Sequence, residues 1–381
     1  MTKRQFRVGI LGLGGMGRNH AEACLTESDV SLVAGCDIVA DARSAWGQAY
    51  GIDEASLYAD YHAMFDREHL DVVIVATHAT AHHAPVVAAA QRGVHVFCEK
   101  PPALNLREAD EMVAACESAG VKLAINHIKR GSRGDDIARG LIADGAVGTP
   151  YYIRGEAKGR RWAGSELMEM GTHLFDWLRF FAGDPSWLFA NVVQDGHPAG
   201  REDIRHSLDL PYRERDCGYV LGERAYCAIG FPTGLHADVG FLAQPTGDDV
   251  GYGFDICGTE GTLAVRRSVD TEIFLQRGQH RGPLAAGPWE QIQVDEFADL
   301  TPPINERGEK AARLACQRRL LRDLLEAIVE DREPISSGRD GRAALELVMA
   351  VWQSQREGGP VSLPLFQREH PLEQWLAAAN L

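Results

Sequence analysis

Short apolar runs alternate with longer amphipathic stretches through the first third of the chain. RVGILGL, SLVAGCD, DVVIVAT, HVFCEK and KLAIN are strand-length runs rich in β-branched residues. The segments between them, GRNHAEACLT, ARSAWGQAYG, TAHHAPVVAAAQRG and LREADEMVAACESAG, have helical period or Ala-rich composition. Parallel neighbours need a crossover long enough for a helix, so this alternation predicts an α/β fold with a doubly wound parallel sheet covered on both faces.

The pattern changes after about Asn126. GDDIARGLIADGAVG reads as a helix leading into a strand, and ELMEMGTHLFDWLRFFAG reads as a second helix with the apolar stripe Leu174, Phe175, Leu178 and Phe181. From Trp187 to about Leu275, strand-like runs are separated by Gly, Pro and Asp turns, which predicts a large, mostly antiparallel open sheet. Two long helical stretches follow from about Gly308, and PLEQWLAAANL closes the chain as a tail helix. A chain of 381 residues suggests about two domains. The expected division is 1–126, 127–365 for an α/β domain carrying the open sheet, and 366–381 for the tail.

Charge narrows the partners. A formal net charge of −15 argues against nucleic acid or an anionic membrane, both of which need a basic surface. Eight cysteines are scattered without a Cys-x-x-Cys pair or histidines at ligand spacing, which predicts a reducing compartment and no structural metal. The N-terminus lacks the apolar stretch of a secretory signal, and no segment has the roughly 18–20 apolar residues of a membrane span. A cytoplasmic protein is expected.

The strongest chemical signal is VGILGLGGMGRNHAEAC, where Gly12, Gly14 and Gly17 have G-x-G-x-x-G spacing between the first strand and first helix. The first glycine permits a tight turn, the second lets the backbone approach a pyrophosphate, and the third lets the helix pack close to the strand. Asp37 ends the second strand twenty residues after Gly17, where a carboxylate accepts bonds from ribose hydroxyls. Residues 1–126 therefore read as an NAD(P)-binding Rossmann domain. NAD is favoured over NADP, because Asp37 repels a 2′-phosphate and is followed by Ile38 rather than Arg; Arg43 is the residue that opposes this preference.

Two further stretches carry titratable groups. HVFCEKPPALN puts Glu99 and Lys100 at the end of a predicted parallel strand, either at the ligand-binding edge or as a surface pair before a turn. In ELMEMGTHLFD, Glu169, His173 and Asp176 fall at i, i+4 and i+7, along one side of a helix. That side reads either as a solvated polar face or as a row of reactive groups. His20, His69, His206, His236, His280 and His370 match no recognised pattern and read as structural or exposed.

With these residues in order, the chain resembles the glucose-fructose oxidoreductase / inositol dehydrogenase / MocA family. The resemblance rests on GLGGMGRNHA, CEKP at 98–101, His82 seventeen residues before Glu99, and GTHLFDWLRFFAG at 171–183. It implies hydride transfer between a nicotinamide and a secondary alcohol of a sugar, cyclitol or related polyol, and a homodimer or homotetramer formed through the C-terminal sheet. Lys100 matches the family's catalytic lysine, His173 its catalytic histidine, and Asp176 the acid one helical turn later. Cofactor contacts are expected from Gly12, Gly14, Gly15, Met16, Gly17, Asp37, Thr77, His78, His82, Glu99 and Lys100.

Two departures stand out. Members usually carry Asp four residues before the catalytic histidine, where this chain has Glu169, placed to orient the imidazole or hold a substrate hydroxyl. A Thr-Pro-Asn-like sequence often follows the third main strand, where this chain reads ATHATAHH and sets His78 at the nicotinamide-side ribose. Further substrate contacts are expected from Asn126, His127 and Lys129, and from Lys158, Arg160, Arg161 and Trp162 in EAKGRRWAGSE, alongside Glu169, His173 and Asp176. Three functions fit: an NAD-dependent dehydrogenase; a redox-neutral glycosidase or lyase that passes through a transient keto-sugar on tightly held NAD; and a non-enzymatic NAD-binding regulator.

Overall fold

The computed structural model describes residues 4–157, 163–210, 217–242, 252–267, 271–278, 288–301, 303–304 and 308–378. The described chain forms two compact units, the first being 1–131 with 300–306 and 313–342, the second the remainder.

The first unit opens with β1 (Phe6–Leu11), α1 (Gly15–Leu25), β2 (Val30–Cys36), α2 (Ala40–Tyr50), β3 (Leu57–Tyr58) and α3 (Tyr61–Arg67). It continues through β4 (Val72–Val75), α4 (His83–Ala90), β5 (His95–Cys98), α5 (Leu106–Ala119) and β6 (Leu123–Ile125). Its strands pair in parallel in the order β3-β2-β1-β4-β5-β6. That is the doubly wound order, whose reversal between β1 and β4 opens a ligand crevice at the carboxyl ends of the strands. All four residues of β4 are buried, as expected of a strand covered on both faces.

The second unit contains α6 (Arg133–Ala143), β7 (Pro150–Glu156), α7 (Ala163–Glu166), a π-helical turn (Leu167–Gly171), α8 (Thr172–Ala182), β8 (Trp187–Gln194) and β9 (His197–Pro198). A small pair, β10 (Arg205–His206) and β11 (Tyr219–Val220), precedes β12 (Arg224–Gly230), β13 (His236–Leu242), β14 (Gly253–Gly258), β15 (Gly261–Arg267), β16 (Thr271–Arg277) and β17 (Glu290–Ile292). The chain ends with α9 (Glu309–Glu330), α10 (Gly338–Glu357), β18 (Val361–Ser362) and α11 (Pro371–Ala377). The large sheet runs β17-β16-β15-β14-β7-β13-β12-β8-β18, with β9 beside β8. Only β7 and β13 pair in parallel among these strands, so the sheet is mostly antiparallel.

Alternate residues of β8 and β12 are buried, giving that sheet one packed and one open face. Helix α8 covers the packed face through Phe175, whose ring lies 5.5 Å from that of Phe241, and Trp177, edge-on to Phe254 at 5.0 Å. A split at residue 126 leaves out one part of the first unit. Leu320, Leu321, Leu324 and Leu325 of α9 join Val8, Ile10, Trp46 and Phe97 in its core.

No helix of the described residues is long and apolar enough to cross a membrane. None of the eight cysteines is in a disulfide, and all but Cys257 are buried. Burial pushes the Cys24, Cys36 and Cys116 thiols up to about 12, so these behave as small apolar groups at neutral pH.

Candidate functional site

The glycine turn is built by contact, as its spacing predicted. Gly12 has φ +89°, and a Cβ there would lie 2.6 Å from the Ala76 carbonyl. A Cβ on Gly17 would lie 1.9 Å from the Gly12 oxygen, so only glycine lets α1 reach β1. Gly14 and Gly15 differ, since a Cβ on either would meet nothing within 4 Å. Gly14 caps α1 in extended conformation, no side chain caps that end, and no acid lies in its first turn. Half-buried Met16 completes the turn, its sulfur 3.6 Å from Asn19 Nδ2. Among the described residues nothing therefore covers the positive end of α1, and a dinucleotide diphosphate fits there.

Asp37 lies just beyond β2. Its carboxylate accepts the Leu13 and Val39 main-chain N–H groups, each at 2.9 Å, one on each oxygen. A two-lone-pair oxygen holding one amide still accepts a hydroxyl. Arg43, the residue set against the NAD preference, donates to the Asp37 carbonyl at 2.8 Å, and Ile38 beside it is 88% exposed.

The ends of β4, β5 and β6 bring a second group together. Thr77 follows β4 and donates its hydroxyl to the Ala81 carbonyl at 3.2 Å; His78 beside it is exposed. His82, expected at the cofactor, is buried with Nδ1 2.9 Å from the Pro101 carbonyl and Nε2 3.1 Å from the Thr77 carbonyl, and the one N–H of a neutral ring donates to either. It thereby ties the loop after β4 to the loop after β5. Burial pushes the His82 pKa down, against the opposing pull of the Thr77 and Pro101 carbonyls and the Glu99 charge.

Glu99 is buried at the end of β5. Its Oε1 receives His20 Nε2 at 2.8 Å and Asn126 Nδ2 at 2.7 Å, and its Oε2 receives the Lys100 main-chain N–H at 3.3 Å. Burial alone would raise this carboxyl, but the hydrogen bond and charge of His20, the Asn126 amide and the Lys100 charge outweigh it and hold its pKa below the ordinary value. Lys100 is half-buried at the strand end. The Oδ1 of Asn126 is buried without a hydrogen-bond partner among the described residues, a polar atom at these strand ends suited to a ligand. His127 and Lys129 follow, buried in and before the 3₁₀ turn Ile128–Gly131.

His20 was not identified from sequence. The signal was available in part: Gly17, His20, Ala21 and Cys24 form the buried stripe of α1, so an imidazole stands inside an apolar face. Its partner lies 79 residues away and leaves no local trace.

Glu169, His173 and Asp176 belong to the second unit. The segment expected as one helix is α-, π- and then α-helical, with Glu169 inside the π turn and His173 in the first turn of α8. A π turn holds an extra residue, so it shifts Glu169 around the axis relative to His173 from where uninterrupted α-spacing puts it; such turns recur at functional sites. Glu169 is half-buried and His173 is 8% exposed. Asp176 is fully buried with Arg179 Nη1 at 3.8 Å, and Arg179 also pairs with Asp184 at 2.6 Å. The carboxylate at i+7 therefore faces an arginine inside the unit. Lys158, Arg160, Arg161 and Trp162 lie outside the described residues.

The chain matches two family models, one described as an oxidoreductase family with NAD-binding Rossmann fold over residues 6–127, the other as the oxidoreductase family's C-terminal alpha/beta domain over 139–363. It is 31% identical to a D-apiose dehydrogenase of Paraburkholderia graminis, covering 97% of this chain and 93% of that protein. It is 30% identical to a 2,7-anhydro-N-acetylneuraminate hydratase of Mediterraneibacter gnavus, over 67% of this chain and 69% of that one. Among solved structures, a levoglucosan dehydrogenase in complex with NADH and levoglucosan shares the fold, with a TM-score of 0.76 at 18% identity, covering 95% of this chain and 100% of that chain.

Proposed function

The chain belongs to the glucose-fructose oxidoreductase / inositol dehydrogenase / MocA family of NAD-binding oxidoreductases, and we propose that it transfers hydride between NAD and a secondary alcohol of a sugar, cyclitol or related polyol. One observation carries this reading: the open glycine turn and the Glu99–Lys100 segment lie on one sheet, at the carboxyl ends of β1 and β5. Gly12, Gly14, Gly15, Met16 and Gly17 hold the diphosphate. Asp37 takes the adenosine ribose, and Thr77, His78, Glu99 and Lys100 line the nicotinamide side. Bound NAD supplies the hydride acceptor.

Oxidation also requires removal of the hydroxyl proton. A histidine, with an ordinary pKa near ~6.5, accepts it around neutral pH, and an ammonium group stabilises the developing alkoxide. His173 and Lys100 fill these two roles. Glu169 orients the imidazole or holds a neighbouring hydroxyl, with Asn126, His127 and Lys129 as further substrate contacts. The exposed side chains Phe189 and Tyr226 on the open face of the large sheet support a homodimer or homotetramer formed there, and eight cysteines outside any disulfide suit a reducing compartment such as the cytoplasm.

The purified protein, given NAD or NADP with D-apiose, inositols, sugar acids and glycosides, is followed by nicotinamide absorbance and product mass. Net NAD reduction with an alcohol supports the proposal. The hydratase relative favours a second reading, redox-neutral chemistry on retained NAD, whose signature is a mass change without absorbance change. Lys100→Met is expected to cut turnover by at least a hundredfold while NAD still binds; near-full turnover removes Lys100 from the mechanism.

A further inference from the structure

We infer that His20 is a positioning residue for Lys100, acting through Glu99, and that it links the dinucleotide-binding helix to the reactive end of β5. The inference rests on the reading of Lys100 given above. Its geometry lies wholly within the first unit. Gly17 and His20 are one turn apart on α1; Gly17 touches the Gly12 carbonyl, and His20 reaches Glu99 Oε1 at 2.8 Å. Phe97, two residues before Glu99, stands edge-on to the His20 ring at 5.1 Å and fixes its orientation.

Glu99 is thereby held from three sides. The His20 ring and the Asn126 amide share Oε1, the Lys100 main-chain N–H meets Oε2 at 3.3 Å, and the Glu99 main chain donates to Val75 at 2.8 Å. His82 grips the far side of the same turn at the Pro101 carbonyl. A buried carboxylate is a costly way to fasten a turn, and apolar packing often does as well, so the network is better explained by what it orients than by stability. Through it, any displacement of α1 when the diphosphate seats on its end is passed to the backbone that carries Lys100.

Three variants test this. His20→Leu removes the donor, His20→Gln keeps an N–H near the same reach, and Glu99→Gln keeps the shape while removing the charge. Each is assayed with NAD and D-apiose, or with whichever panel alcohol the wild-type protein turns over fastest by absorbance or product mass. Displacing a reactive group by about 1 Å costs on the order of a hundredfold, so His20→Leu and Glu99→Gln are expected to lower kcat by about 10- to 100-fold, with KM for NAD within about threefold in His20→Leu. His20→Gln is expected to recover most of the loss. Equal impairment of His20→Leu and His20→Gln, or kcat within twofold of wild type in His20→Leu, overturns the inference. If His20→Leu does not fold, His20→Ala decides by the same kcat criterion. Lys100→Met separates the layers: if it is inactive while His20→Leu is normal, only this inference fails, and if it stays active the reading of Lys100 fails and takes the inference with it.

Discussion

Two glycines of the fingerprint are expected to fail in opposite ways when replaced by alanine. At Gly17 the added methyl carbon would sit 1.9 Å from the Gly12 carbonyl oxygen. That neighbour is backbone, so α1 and the turn must part by more than 1 Å. Overpacking of this kind costs about 3 kcal/mol or more, which in a chain of this size lowers Tm by roughly 4 °C or more. At Gly14 the backbone is at φ −72° and ψ −156°, open to any residue, and a Cβ meets nothing. Gly14→Ala is therefore expected to leave stability within about 1 kcal/mol, the gain through the unfolded chain being offset by alanine's poorer N-cap. Its methyl would fill the space above the end of α1. Losing one charge-assisted hydrogen bond to a diphosphate there costs about 1.5–3 kcal/mol, or about 10- to 150-fold in Kd. Thermal unfolding measures the first quantity and calorimetric titration with NAD the second. The reasoning is refuted if Gly14→Ala binds NAD within twofold of wild type, or if Gly17→Ala melts with the parent.

Two other outcomes follow from single residues. His370 is buried against Trp352, its rings stacked at 5.1 Å, and burial pushes its pKa down to about 3. The unfolded chain binds the proton below about 6.5 while the folded chain does not, so stability falls as pH drops through the window from about 6.5 to about 3, by roughly 2 kcal/mol at pH 5. Denaturant unfolding at pH 7 and pH 5 should show a shallower loss in His370→Asn, which keeps a helix-cap acceptor for the Leu372 N–H, and an unchanged slope would remove His370 as the cause. Glu169→Asp retracts a half-buried carboxylate by about one bond length, so relative kcat/KM among polyols is expected to change by around tenfold with folding intact, on the scale to which catalytic geometry responds. An unchanged order of preference across the panel would remove Glu169 from substrate selection.

Local signals carried far in this chain because several of its devices are local. The glycine turn needs only φ at Gly12 and clearance at Gly17, and both follow from residues within one turn of each other. Strand alternation with helices was likewise enough for the parallel sheet. Periodicity was less informative where it could not identify what a face meets. The segment of α9 read only as a long helix, and packing alone assigns its leucines to a core begun three hundred residues earlier. Asp176 had the spacing of a reactive row and is buried beside Arg179. Residue propensity gave no sign of the π turn that carries Glu169.

The sequence by itself determined the dinucleotide turn, the order of strands and helices, and the family, because each depends on short-range sterics or on motifs read in order. Tertiary structure alone decided what surrounds Glu99. A buried carboxylate must collect donors wherever the fold brings them, and its partners come from α1 and from the end of β6, 79 and 27 residues away.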